Sequence, residues 1–427
     1  MKIVHIVPGF GGTFYCGNCL RDSGVVASLK KAGHDAITLP MYLPLTLNGE
    51  TNPDLPVFYG AVNIYLKQYP VFRHMPKWFE KWMNTPAVLK FAAKKSGSTR
   101  ASGLEDLTES MLLGENGHQS EELQQLVDFL KFHEKPDVVH ISNALLLGLA
   151  KKVREEVKVP VVCSLQDEDV WVDAMHEDHR EKMWQLLAEK AKDVDAFIAV
   201  SDFFAGVMQQ RMAIPNHKLH VLHVGVNPSA YTYSKPAAEP QAIGFLSRMN
   251  DENGFEILID AFILLKENPA FNNLKLKATG GMTGDDTKFI NHQLQKLKQK
   301  DIIRDFEILP DFTADALHDF FKSISVLSVP VLKGEAFGLY QLEALASGIP
   351  LVQPELGAFP EIIKATGGGV TYKPNTAEAL AAKLTEVLSD KAMLEKMSLA
   401  GRKAVEENFD CSKLSVQMAE IYARCQS

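Results

Sequence analysis

Two runs of alternating strand-like and helix-like segments, separated by a proline-rich break, constrain this chain more than any other feature. Short apolar, β-branched stretches recurring between helical segments build parallel sheets covered by helices. In the first run the strand-like stretches are Lys2–Val7, His34–Leu39, Asp137–Ile141, Val159–Leu165, Ala196–Val200 and His220–His223. A helix is expected from about Asn18, a good N-cap residue, to Lys31, with Gly33 as its stop. Residues 227–241 (NPSAYTYSKPAAEPQ) carry prolines without periodicity, as a linker does. The alternation then restarts with strands at Ala242–Leu246, Leu274–Thr279, Phe306–Leu309, Val326–Pro330 and Leu351–Val352. Helices at Gly254–Glu267, Thr313–Lys322, Gly338–Ala346 and Ala377–Leu388 lie between or after them. The expected fold is α/β, with two Rossmann-like doubly wound domains.

At 427 residues the chain exceeds one ordinary core, in keeping with two domains. The expected division is 1–228, a linker at 229–241, a second domain at 242–407 and a tail at 408–427. Residues 56–120 fit the alternation least. They hold a strand-like Val62–Leu66, the aromatics Phe72, Trp78, Phe79 and Trp82, and a polar tract near Ser96–Gly103. A helical excursion with a turn accounts for them, and a lid or acceptor surface is the functional alternative.

The balance of 45 Lys plus Arg against 53 Asp plus Glu argues against a general polyanion binder, so no nucleic-acid partner is expected. No apolar stretch approaches the roughly 18–20 residues that cross a bilayer. Peripheral membrane contact stays open, and nothing in the sequence indicates it. The apolar run Ile3–Val7 is too short for a signal peptide and is followed by Pro8 and glycines, so it reads as a first strand. Five cysteines, odd and sparse, fit a reducing compartment better than a disulfide framework; a cytoplasmic protein is expected.

The most informative window is 330–360, PVLKGEAFGLYQLEALASGIPLVQPELGAFP. A strand ends near Pro330, a loop carries Glu335, and a helix begins near Gly338. The first N–H groups of a helix lack partners and sit at its positive end, which makes a site for phosphate. Glu343, about a turn and a half into that helix, is placed to accept both hydroxyls of a ribose whose diphosphate rests on the helix start. Glu335 is placed to accept hydroxyls of the next sugar along. Taken singly, either acid has the commoner fate of a Glu, which is to be solvated.

As an ordered set these residues resemble the EX7E signature of retaining glycosyltransferases, family 4 with the GT-B fold in particular. It stands here as Glu335-Ala336-Phe337-Gly338-Leu339-Tyr340-Gln341-Leu342-Glu343, continuing through Ala344-Leu345-Ala346-Ser347-Gly348-Ile349-Pro350 to Gly357 and Pro360-Glu361. Gly244-Phe245-Leu246-Ser247-Arg248 resembles the family's strand ending in a phosphate-binding Arg, and His223–Asn227 its exit from the N-terminal domain. The loop Pro8–Gly12, with Gly11 and Gly12, resembles the one that approaches the donor.

The resemblance implies two domains facing a cleft, the donor on the second and the acceptor on the first, with residues 408–427 crossing back. It implies a nucleotide-diphosphate sugar as donor, with UDP, GDP and ADP all open, an unidentified acceptor, and no cofactor or metal. Glu343 would hold the ribose and Glu335 the donor sugar. Arg248 would neutralise diphosphate charge, and Phe337, Gly338 and Leu339 would offer backbone donors to it. Glu335 and Arg248 would be the catalytic pair. In retaining members the departing phosphate is thought to help deprotonate the acceptor, so no dedicated protein base is obligatory.

Three positions depart from the family pattern. Asn253, in Glu252-Asn253-Gly254, stands where a Lys is usual among the donor-binding residues, and Lys333 is a candidate substitute cation. Ser142-Asn143 follows the strand Asp137–Ile141, and Gln166 follows Ser164-Leu165, at places where relatives often have His. These departures motivate a second reading, a catalytically silent sugar-nucleotide-binding relative.

Two further constellations remain. Cys16-Gly17-Asn18-Cys19, at the start of the first helix, reads as a set of packing residues, a thiol redox pair or half of a zinc site. Beside it, Arg21 and Asp22 are either a buried helix-start pair or face the interdomain cleft. The cluster Asp167-Glu168-Asp169 with Asp173, His176 and His179 fits no metal spacing in particular and reads first as a polar rim with a solvated helix face.

Overall fold

The structure, a computed structural model, describes residues 1–9, 15–42, 46–47, 50–51, 103–236 and 241–426. The expectations placed on Val62–Leu66, on Phe72, Trp78, Phe79 and Trp82, on most of Ser96–Gly103, and on Gly11 and Gly12 lie outside the described residues. The chain divides into two units. The first holds Met1–Gly12, Asn18–His223 and Leu414–Ser427, the second Thr13–Gly17 and Val224–Lys413.

The first unit is built on β1 (Lys2–Val7), β2 (Asp35–Pro40), β5 (Val138–Ile141), β6 (Val161–Leu165), β7 (Ala196–Ala199) and β8 (Leu219–Val221). Two short strands, β3 (Thr46–Leu47) and β4 (Glu50–Thr51), form a separate antiparallel pair. The six-stranded sheet is parallel in the order β2-β1-β5-β6-β7-β8, with Ile3 opposite both Ala36 and Val138. Strands buried on both faces read as near-continuous apolar runs, and β5, β6 and β7 are buried throughout. Helix α1 (Gly17–Lys31) turns Val26 and Leu29 into the core, where they join Ile3, Val138 and Ile198. The last helix closes that core with Leu414, Met418, Ile421 and Tyr422.

The second unit repeats the design. Its strands are β9 (Ala242–Leu246), β10 (Lys275–Thr279), β11 (Phe306–Ile308), β12 (Val326–Leu327), β13 (Leu351–Pro354) and β14 (Gly369–Tyr372). They form a parallel sheet in the order β11-β10-β9-β12-β13-β14. Helix α2 (Phe255–Lys266) packs Phe255 edge-on against Phe245 of β9, with ring centroids 5.0 Å apart. Burying such rings contributes roughly 1.5–3 kcal/mol each. Helix α3 (Leu339–Ala346) is buried along its whole length, and α4 (Cys411–Gln426) ends the chain. No helix among the described residues is long and apolar enough to cross a membrane.

Both sheets reverse their winding once, between β1 and β5 and between β9 and β12. In open α/β sheets such a reversal leaves a crevice outside the carboxyl ends of the two strands, where ligands bind. In the second unit those ends lead into Ser247–Gly254 and residues 328–338, the loops that carry Arg248 and Glu335. The strand expected over Val326–Pro330 stops at Leu327. Val329 N–H goes to the Gln353 side chain at 2.9 Å instead of a neighbouring strand, and Pro330 has no N–H for a ladder. β14 was not expected, because Gly369 opens it and its residues are half-buried until Tyr372.

Candidate functional site

After β9 the chain turns sharply at Ser247–Gly254. Asn253 Nδ2 donates to Arg248 O at 2.9 Å, and Asn253 N–H donates to Asn250 Oδ1 at 3.0 Å. The residue standing where the resembling family usually has a Lys therefore braces the loop's own backbone. Gly254 has φ +71°, and a Cβ there would come within 1.9 Å of Pro330 O, so glycine alone lets this loop meet the one after β12. Leu332 N–H donates across the junction to Glu252 O at 3.0 Å.

Arg248 is held as well as presented. Its Nε and Nη2 donate to the two oxygens of Asp286 at 2.8 and 2.9 Å, and Nη2 also donates to Thr283 Oγ1 at 2.8 Å. Burial alone would raise the Asp286 pKa, but the Arg248 and Thr283 donors hold it below the ordinary carboxylate value. A guanidinium fixed in this bidentate way has its plane set and part of its charge already answered.

Glu335 sits half-buried in the loop before α3, accepting from Tyr340 Oη at 3.2 Å, while its carbonyl accepts from Ala358 N–H at 2.9 Å. Phe337 is buried and its carbonyl accepts from the Gln341 side chain. Gly338, at φ +79°, turns the chain into α3. Among the described residues no side chain caps that start and no acid lies in its first turn, so the positive helix end with Leu339 N–H faces this loop. Lys333 is exposed on the same loop.

Glu343 was expected to present both oxygens to a ribose. The structure instead buries it to 4% exposure and engages each oxygen with a phenol. Tyr15 Oη donates to Oε2 at 2.6 Å and Tyr231 Oη donates to Oε1 at 2.8 Å. Burial pushes the Glu343 pKa up to about 7, and the two phenol donors limit the rise. A carboxylate offers about four lone-pair positions, so two phenols do not exhaust it. Neither Tyr15 nor Tyr231 stood out in the sequence, since each lies far from residue 343 in a stretch without periodicity. The structure thus brings Arg248, Asn253, Glu335, Phe337, Gly338, Leu339 and Glu343 into the loops and helix start at one edge of the second sheet.

In the first unit the corresponding edge is differently built. Glu168 is 1% exposed and its two oxygens accept from Ala144 N–H at 2.8 Å and Gln166 N–H at 2.7 Å. Burial raises its pKa to about 8 against those donors. Gln166 Nε2 donates to Ser142 O at 2.7 Å, so Ser142 and Gln166, two of the departures from the family pattern, are neighbours. Beneath them lies a buried network of which the sequence offered only the Arg21–Asp22 pair. Arg21 donates to Asp22 at 2.8 and 3.1 Å, His5 faces Asp22 at 3.5 Å, and the His5 and His140 rings lie 4.4 Å apart. His140 Nδ1 meets Tyr422 Oη at 2.5 Å and its Nε2 meets Ser164 Oγ at 2.8 Å. Arg21 and Asp22 are the buried helix-start pair.

The acids and histidines of 167–179 go separate ways. Asp167 accepts from Asn18, Asp173 from Arg211 and Trp184, and His176 lies 4.0 Å from Glu105. No group of three or more His, Cys, Asp or Glu placed to hold a metal occurs among the described residues. Cys16 and Cys19 are half-buried and in no disulfide.

Comparison with known proteins bears on both units. Residues 234–404 match the model of glycosyl transferases group 1, and residues 113–230 match that of glycosyltransferase family 4. An uncharacterised glycosyltransferase of Methanocaldococcus jannaschii is 23% identical over 71% of this chain and 79% of its own length. The glycogen synthase of Mycobacterium tuberculosis is 23% identical over 67% of this chain and 69% of its own. Among solved structures, sucrose-phosphate synthase from Thermosynechococcus elongatus superposes with a TM-score of 0.70 at 15% identity, covering 99% of both chains. HepE of Anabaena in complex with UDP gives 0.68 at 14% identity, covering 99% of this chain and 100% of that one.

Proposed function

The chain belongs to the GT-B glycosyltransferases of the family 4 type, and from that premise we propose that it transfers a sugar from a nucleotide-diphosphate donor, with retention of configuration. The observation that carries the donor assignment is the start of α3, without a side-chain cap among the described residues, with Glu343 in the same helix and Arg248 in the adjoining loop. One helix then addresses both ends of a nucleoside diphosphate. Leu339 N–H and the helix dipole meet the phosphates, and Glu343 meets the ribose. HepE, which shares the fold, has been crystallised with UDP and with UDP-glucose, which supports a nucleotide sugar of this kind.

The chemistry asks little more of the protein. The leaving group is a nucleoside diphosphate, and aimed N–H groups with one fixed arginine stabilise the charge that grows on it. Glu335, ahead of the helix start, meets the transferred sugar, where positive charge builds as its bond to phosphate breaks. Arg248, paired to Asp286, serves as an oriented donor more than as an unpaired cation.

A thermal-shift screen with UDP, GDP, ADP and their glucose conjugates tests the reading, because a ligand bound only by the native state raises the midpoint. One nucleotide family should stabilise the protein, and silence across all of them overturns the donor assignment. Retention is read by NMR from the anomeric configuration of the first product formed.

A further inference from the structure

The helix start and the carboxylate of the proposed donor site are both approached by one short piece of chain. Tyr15, 7% exposed, donates its phenol to Glu343 Oε2 at 2.6 Å and its N–H to Gly280 O at 2.8 Å. Two residues on, Gly17 lies against the first residue of α3: a Cβ there would stand 3.3 Å from Leu339 Cβ and 3.9 Å from Leu339 N. The segment Tyr15–Gly17, part of the second unit, thus reaches the phosphate end and the ribose end of the same footprint.

The two phenols on Glu343 are not equivalent. Arg402 Nη1 donates to Tyr231 O at 2.8 Å and also to Ala346 O, the last residue of α3. Tyr231 is therefore fastened to the helix that carries Glu343 and keeps its place as that helix does. Tyr15 arrives from a segment 328 positions away in sequence. Its O–H donating to a carboxylate oxygen is the same bond, in length and charge, that a ribose hydroxyl would make.

On the donor reading given above, we infer that Tyr15 is an internal competitor for the ribose: its phenol fills one oxygen of Glu343 in the free enzyme, and a ribose hydroxyl of the donor replaces it. The exchange trades one charge-assisted hydrogen bond for another. The exchanged hydroxyl then contributes little net affinity in the native protein, and more once the phenol is removed. A ligand without those hydroxyls cannot make the exchange and is indifferent to Tyr15.

Calorimetry on the full chain tests this with UDP, GDP and ADP and their 2′,3′-dideoxy forms, on wild type, Tyr15→Phe, Glu343→Gln and the double variant. The nucleotide that wild type binds should bind Tyr15→Phe about five- to tenfold tighter, with its dideoxy form unchanged. The gain should vanish in the Glu343→Gln background, since the two residues then no longer couple. Tyr231→Phe, which removes the fastened phenol, should give no such tightening. Equal or weaker binding by Tyr15→Phe overturns the inference alone, as does an equal gain for the dideoxy form. If no nucleoside diphosphate binds either protein, the donor reading falls and this inference with it. A single cooperative thermal transition for ligand-free Tyr15→Phe, with its midpoint lowered by the lost bond, shows that the comparison is between folded proteins.

Discussion

The two units share a sheet design and differ in where they keep their charge. In the first, ionisable groups lie inside: Asp22, Arg21, His5 and His140 are all within the core behind β1 and β5. In the second, charge lies at the sheet's carboxyl edge, with Arg248 after β9 held by Asp286 from the loop after β10, and Glu335 in the loop before α3. A buried ion pair is weak evidence of net stabilisation, yet breaking one by removing a single partner is costly. The first unit should therefore respond to substitution through folding, and the second through ligand handling.

The sharpest way to break that contrast is Asp22→Ala. It leaves Arg21 buried without its carboxylate, and urea unfolding should show a loss of about 3–5 kcal/mol. A loss below about 1 kcal/mol would mean the pair is screened and the contrast false. Acid should act in the same place. Burial pushes the His140 pKa well below its ordinary value, so the unfolded chain takes up a proton near pH ~6.5 that the folded one refuses. Burial would raise Asp22, but Arg21 and then His5 hold it low, so its share is lost at still lower pH. Both signs make stability fall on acidification, His140 first.

In the second unit Glu335→Gln should lower kcat about 10²-fold and leave nucleotide affinity within about twofold. Transfer kinetics beside calorimetry would show it, and a normal kcat removes Glu335 from the reaction. Arg248→Ala comes next, weakening nucleoside-diphosphate binding by about 1.5–3 kcal/mol while nucleoside binding is unchanged. Because Asp286 then loses its bidentate partner, the thermal midpoint should fall as well. Arg248→Lys should recover more of the midpoint than of the affinity, since an ammonium cannot reproduce the fork.

How far these assignments were legible in sequence follows the same divide. The second unit's loops lie in contiguous windows, 244–254 and 330–343, so spacing placed Glu335 and Glu343 near a helix start, and the family resemblance added Arg248. What spacing could not show is that Asn253 turns inward to Arg248 O, or that Asp286 answers Arg248 from another loop. Residues 5, 21, 22, 140, 164 and 422 of the first unit meet only through strand order and the return of α4. Polar residues inside apolar strands carry no periodic signal. Glu168, expected within a polar rim and solvated helix face, is instead buried where the loops of Ser142 and Gln166 meet, because backbone N–H groups from both loops satisfy it.

The smallest effect separates two of the buried carboxylates whose pKa burial raises, Glu343 to about 7 and Glu168 to about 8. Glu343 is held by side-chain phenols, while Glu168 is held by backbone N–H groups of its own loops. One ribose hydroxyl only replaces the Tyr15 phenol, while the second adds a donor to the carboxylate, so the ionised form of Glu343 binds the ribose better. Binding then lowers that pKa and releases a proton. Donor affinity should rise with pH through about 7 and level off above, by up to about 1.4 kcal/mol per pH unit. Stability of the ligand-free protein should run the other way. Between about pH 4.3 and 7 the folded chain keeps a proton on Glu343 that the unfolded chain has lost, so stability falls as pH rises. The ligand must be a sugar nucleotide rather than a nucleoside diphosphate, whose terminal phosphate itself ionises near pH ~6. Glu343→Gln should flatten the affinity profile. Glu168→Gln should leave it intact and lower the urea midpoint, because an amide cannot accept two N–H bonds with both of its ends. An affinity profile that flattens in Glu168→Gln instead would place the donor's titrating group in the first unit.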